Sequence, residues 1–196
     1  MSHTVHVWKA KPVMFIQTET TPNPDSLKFL PGCLVLEGRN LTFSKQDDCS
    51  SSLLAKQLLA IEGISSVFFA PDFITLSKDN DHEWVYLKPA VIALLMEHFV
   101  AGLPVIVTPS EQESPVALPA SDPVIRQIKE IIELRVRPAV AQDGGDITFD
   151  RFEDGVVYLK LQGACSGCPS SSATLKAGIE NMLRYYVPEV LEVRAA

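Results

Sequence analysis

The stretch GACSGCPSSS, residues 163–172, sets Cys165 and Cys168 three positions apart in a run of glycine and serine, and no second pair of that spacing occurs in the chain. Two thiols so placed can ligate a soft metal or an iron–sulfur cluster, or can cycle between dithiol and disulfide. Their neighbours are small. Gly163 and Gly167 let backbone amides approach sulfur, while Ser166, Ser170, Ser171 and Ser172 leave room for a bulky inorganic group. A structural zinc or an iron–sulfur cluster typically takes four protein ligands, and this pair supplies two. One remedy is a twofold dimer in which each chain contributes Cys165 and Cys168 to a site on the symmetry axis. The other recruits Cys33 and Cys49, which lack pair spacing and lie far off in sequence; the dimer is preferred.

The elements that must position the pair are legible around it. Upstream, ITFDRF and VVYLKL flank Asp154-Gly155, a strong hairpin signal, and the second strand delivers the chain to the cysteines. Downstream, the spacing predicts a helix from Pro169 to Val187 with Leu175, Ile179, Met182, Leu183 and Tyr186 inward, ended before Pro188. Cys165 and Cys168 therefore fall between a strand end and a helix start, where unpaired N–H groups and the helix dipole favour thiolate, the ligating form. Asp122 caps and Pro123 opens an earlier helix whose Val124, Ile125, Ile128, Ile131, Ile132 and Val136 form one apolar face; Pro138 should kink or end it. With VLEVR as a last strand, this half reads α-β-β-α-β. Asp143-Gly144-Gly145-Asp146 reads as a turn rather than a cation site.

Ahead of this unit TPSEQESPVALPAS, residues 108–121, is polar and proline-dotted, a flexible linker of about 20 Å mean span that should let the two sides move independently. Glu111 and Glu113 are solvated charge within it. Residues 14–107 read as a small N-terminal α+β domain, and residues 122–196 as a small C-terminal one that carries the cysteine pair. Short strands are expected over Val13–Glu19, Ser26–Leu30 and Asn40–Ser44. Ser50, Ser51 and Ser52 offer caps to a helix carrying Leu53, Leu54, Leu58 and Ile61, stopped by Gly63. ISSVFFA and FITLSK flank the turn Pro71-Asp72, and a second helix is expected to begin near Pro89 and run to Gly102. Phe68 and Phe69, adjacent on a strand, point to opposite faces, so one packs in the core while the other is free to meet the other domain.

Composition narrows the function classes. At 46% hydrophobic and 21% charged the chain is of ordinary globular character, and its net charge of −7 with no Lys/Arg cluster disfavours nucleic acid. The longest apolar stretch, Ala90–Met96, is far short of the roughly 18–20 residues that cross a bilayer, so no membrane is expected. MSHTVHVWKAKPV has neither a secretory core nor an arginine-rich presequence, which points to the cytoplasm, or to the mitochondrial matrix for a processed form. No P-loop, dinucleotide fingerprint, HExxH or nucleophile triad is present, and the expectation is that the protein is not an enzyme. His3 and His6 have a spacing that could bind metal but, on a loose terminus, read as solvated; His82 and His98 have no carboxylate or cysteine partner at motif spacing, and Cys33 and Cys49 read as ordinary thiols.

The stretch from Pro138 through DGGDI and FEDGVVYLKLQGACSGCPSSSATLKAGIENMLRYYVPEV resembles the C-terminal domain of the NifU family, the Nfu-type iron–sulfur cluster scaffolds and carriers. MFIQTETTPNPDSLKFLPG, EGISSVFFAPDFITLSK and WVYLKPAV resemble the N-terminal domain of one branch of that family, so the resemblance covers nearly everything after Met14. It implies a labile 4Fe–4S cluster, or a 2Fe–2S one, held between two subunits by Cys165 and Cys168 of each. It further implies handover to apo iron–sulfur proteins after loading by upstream assembly proteins. A thiol–disulfide redox protein and a zinc-stabilised interaction module are the alternatives. The first fits poorly, because a helix ahead of an adjacent hairpin is not the βαβ order of thioredoxin-like folds.

Overall fold

The computed structural model describes residues 15–107, 122–166 and 169–196, without the side chains of residues 169–173. Strands β1 (Gln17–Thr20), β2 (Ser26–Leu30) and β3 (Leu41–Ser44) come first, followed by helix α1 (Leu53–Leu59), strands β4 (Ile64–Phe69) and β5 (Ile74–Lys78), and helix α2 (Trp84–Val100). The five strands form one sheet in the order β1-β2-β5-β4-β3, antiparallel throughout. Period-two alternation sends Leu27, Phe29, Val67, Phe69, Ile74 and Leu76 to the face covered by α1 and α2, where Leu54, Leu58, Val91 and Leu95 meet them. The Ser52 hydroxyl caps α1 by accepting from the Ala55 amide at 3.1 Å and itself donates to the Val105 carbonyl at 2.6 Å.

In the second half, α3 (Pro123–Ile131), a π-helical turn (Ile132–Val136) and α4 (Arg137–Gln142) precede β6 (Gly145–Glu153), β7 (Val156–Gly163), α5 (Pro169–Tyr186) and β8 (Glu192–Ala195). The sheet order is β6-β7-β8, with β8 parallel to β7. This is the expected α-β-β-α-β sequence, and the whole is α+β as read. Asp154 and Gly155 both take positive φ, 49° and 79°, the conformation a two-residue hairpin turn requires. Asp122 accepts from the Val124 amide at 2.9 Å, so the cap on α3 is also as read. Ile128, Ile132, Val136, Ile147, Val157, Leu159, Leu183 and Val193 fill the core between helices and sheet.

Three expectations are corrected. The helix expected to begin near Pro89 begins at Trp84, with Pro89 inside it. Glu83 is extended and its carbonyl accepts the Tyr86 and Leu87 amides, while buried Leu87 continues the Val91–Leu95 stripe upstream. The bond Pro89 cannot make is owed to Val85, on the exposed side, where water can satisfy it. Pro138 does not end its helix. The widened turn includes Leu134, whose carbonyl lies four residues back from the missing proline N–H, and α4 then continues to Gln142. The two halves, expected to move independently, touch along a seam described below. Residues 108–121, His3, His6, Glu111, Glu113 and Val13 lie outside the described residues. No helix among the described residues is long and apolar enough to cross a membrane.

Candidate functional site

Strand β7 ends at Gly163, whose φ of +63° lies in the left-handed region. The strand pairs Gly163 with Gly145 at the start of β6. These two glycines meet where backbone and sulfur crowd together. A Cβ on Gly163 would lie 2.7 Å from the Gly144 carbonyl oxygen and 2.9 Å from the Phe68 ring; one on Gly145 would collide with Cys165 Sγ. Cys165 thus packs its sulfur over bare backbone and is 7% exposed. The Ser166 amide and hydroxyl both donate to the Gly163 carbonyl, at 3.1 and 3.0 Å, turning the chain out of the strand. Helix α5 then starts at Pro169, so Cys165 does stand between strand end and helix start. Cys168 lies outside the described residues.

Beside Cys165 opens a cavity of about 500 Å3 between α4 and α5. Val136, Val140, Ile179 and Met182 make its walls, and Pro22 and Asn23 of the first half stand on its rim. Apolar walls of this kind restrict the access of water to a neighbouring thiol.

The unforeseen part of the site is the seam. The middle of the second face of the five-stranded sheet, which alternation leaves to Lys28, Phe68 and Thr75, is buried: these residues are 8%, 1% and 1% exposed. Phe68 packs with Ala70, Phe73 and Ala141, so of the two adjacent phenylalanines Phe69 is core and Phe68 meets the other half. Thr75 Oγ1 donates to the Gly144 carbonyl at 2.7 Å, Asn23 Nδ2 to the Ala164 carbonyl at 3.2 Å, and Lys28 Nζ to the Gln142 carbonyl at the end of α4 at 3.3 Å. Asp146, read as a turn residue, is 3% exposed. Its carboxylate accepts from Arg137 at 2.8 and 3.0 Å and from Asn40 Nδ2 at 2.6 Å. Hydrogen bonding to Asp146, and then to Glu133, holds the Arg137 guanidinium more firmly protonated than usual. Alternation along β5 turns Thr75 away from the first core; nothing local in the sequence says what covers it.

Cys33 and Cys49 are half-buried. Burial pushes the Cys33 thiol pKa up, and burial together with the Asp47 and Asp48 charges does the same for Cys49, so neither is poised as thiolate. Among the described residues no three His, Cys, Asp or Glu side chains gather as a metal site. His98 is buried and neither ring nitrogen finds a hydrogen-bond partner among the described residues.

A family model described as "NifU-like domain" matches residues 128–194, and one described as "Scaffold protein Nfu/NifU N terminal" matches residues 16–102. The chain is 51% identical over 178 residues to the "NFU1 iron-sulfur cluster scaffold homolog, mitochondrial" of Homo sapiens, an alignment covering 90% of this chain and 70% of that protein. It is 49% identical over 181 residues to the protein of the same name from Drosophila persimilis, covering 92% of this chain and 64% of that one. The chain thus spans about two thirds of the length of these relatives. Among solved structures, a "NifU-like protein from Saccharomyces cerevisiae" is 31% identical with a TM-score of 0.47, covering 55% of this chain and 96% of that one.

Proposed function

Because the chain belongs to the Nfu/NifU family of iron–sulfur cluster scaffold proteins, we propose that it carries a labile 4Fe–4S cluster as cargo, clasped between two copies through Cys165 and Cys168 of each. The observation that carries this reading is the place of Cys165: at a strand-to-helix junction, its sulfur against glycine backbone, beside an apolar cavity. Two cysteines per chain leave half the coordination to a second copy. In handover, an incoming thiolate of the acceptor binds iron as one cysteine thiolate leaves, so sulfur replaces sulfur and the charge around the cluster is kept. Repeating that exchange frees the cluster without unfolding either half.

The acceptors are apo iron–sulfur proteins, and upstream assembly proteins supply the cluster. Turnover of a small molecule plays no part in this role. The human and Drosophila relatives carry "mitochondrial" in their names, and we place this chain in the mitochondrion as well; the expected cytoplasmic location finds no support in them. A 2Fe–2S cluster is the other form the same four thiolates could take.

Anaerobic reconstitution with iron and sulfide tests the ligands. The unaltered chain develops cluster absorbance at about 400 nm. Cys165→Ser and Cys168→Ser each lose it, while the double variant Cys33→Ser, Cys49→Ser keeps it. A colourless protein that retains zinc instead would show that the pair serves an interaction module.

A further inference from the structure

We propose that the first half of the chain is a working part of the cargo site, with Asn23 and Thr75 as positioning residues that set how tightly the cluster is held. The inference rests on the reading of Cys165 as a cluster ligand, and it adds a component from outside the cysteine-bearing unit.

The geometry converges on the residue that precedes Cys165. The Ala164 amide donates to the Gly144 carbonyl at 3.1 Å. That same carbonyl accepts the Thr75 hydroxyl at 2.7 Å. On the other side of the residue, the Ala164 carbonyl accepts Asn23 Nδ2 at 3.2 Å. Both polar groups of Ala164 are therefore tied, one through Gly144, to side chains of the five-stranded sheet and its first loop. Asn23, Thr75 and Ala164 are 6%, 1% and 3% exposed, so these bonds are made away from competing water. Phe68 closes the set by resting on Gly163, where no side chain fits.

Asn23 is itself held for this task. Its Oδ1 accepts the Asp25 amide at 3.0 Å, which leaves the amide nitrogen aimed at Ala164. The fold could bury this face with apolar side chains alone. Instead it spends two donors on the carbonyls of the two loops that touch Cys165. A ligand held by a fixed backbone dissociates from iron less readily than one on a loop free to swing, because its sulfur stays within rebinding reach.

The test uses the full chain, reconstituted anaerobically, with loss of visible absorbance followed after addition of an iron chelator. Asn23→Asp keeps the shape and the acceptor for Asp25 but removes the donor; Thr75→Val keeps the shape and removes the hydroxyl; Thr75→Ser restores it. The expected result is release about three- to tenfold faster for Asn23→Asp and Thr75→Val, with Thr75→Ser within about twofold of the unaltered chain. A purely structural role would lower the thermal midpoint of the cluster-free protein and leave the release rate where it was. That result overturns the proposal. Should Asn23→Asp fail to fold, the Thr75→Val and Thr75→Ser pair decides alone. Failure of the underlying reading looks different: Cys165→Ser would then hold its cluster as well as the unaltered chain, whatever the two positioning variants do.

Discussion

At the scale of single residues, the site depends on atoms that are missing as much as on the sulfur. Gly163 combines a left-handed φ with a backbone oxygen and a phenylalanine ring where a Cβ would stand, whereas Gly102 has the same kind of φ, +65°, and open space around it. The pair separates strain from collision. Gly102→Ala costs about 1–2 kcal/mol of backbone strain and leaves cluster loading intact. Gly163→Ala carries that strain and must also push the Gly144 carbonyl or Phe68 aside, which moves the loop under Cys165. The expected outcome is loss of most cluster absorbance after reconstitution of Gly163→Ala, with Gly102→Ala loading normally at a lowered thermal midpoint. Equal loading in the two variants would show that the close packing at Gly163 has no bearing on the cargo.

At the scale of elements, what could be read locally was read well. Ser52 and Asp122 announce helix starts, Asp154-Gly155 announces the hairpin, and the strand before Cys165 follows from its alternation. Pro89 misled because a proline suited to a first turn is also tolerated deeper in a helix when the carbonyl it fails to meet faces water. The seam was illegible for a different reason. Thr75 and Asn23 take their roles from carbonyls dozens of residues away, and no periodicity encodes that. Helix α2 carries one further unforeseen feature in its last turn. Burial of His98 pushes its pKa below the ordinary histidine value of 6.5. The unfolded chain then takes up the proton first. Stability is full above about pH 6.5 and falls as the pH drops below it, toward the lower folded value. Between about pH 7.5 and 5, above the range where free carboxylates titrate, the thermal midpoint of the unaltered chain should fall more than that of His98→Leu. Parallel slopes would remove His98 from the account.

At the scale of the whole molecule, the two halves are not beads on a string. The five-stranded sheet has helices on one face and the cysteine-bearing unit on the other, with Phe68, Thr75 and Lys28 buried between. The position of the cysteine pair was plain from its glycine and serine surroundings, but that the first half reaches the site only the fold reveals. The proposed sharing of a cluster would bring together two such paired bodies, each with a net charge of −7, so a cluster bridge would have to overcome their mutual repulsion and the dimer should loosen when the cluster leaves. The most direct measurement is iron content and native mass on one anaerobically reconstituted sample. The account predicts about four irons for every two chains, in a particle of twice the 21.5 kDa chain mass that returns to single chains when the cluster is chelated. A full cubane on a particle of single-chain mass would contradict it.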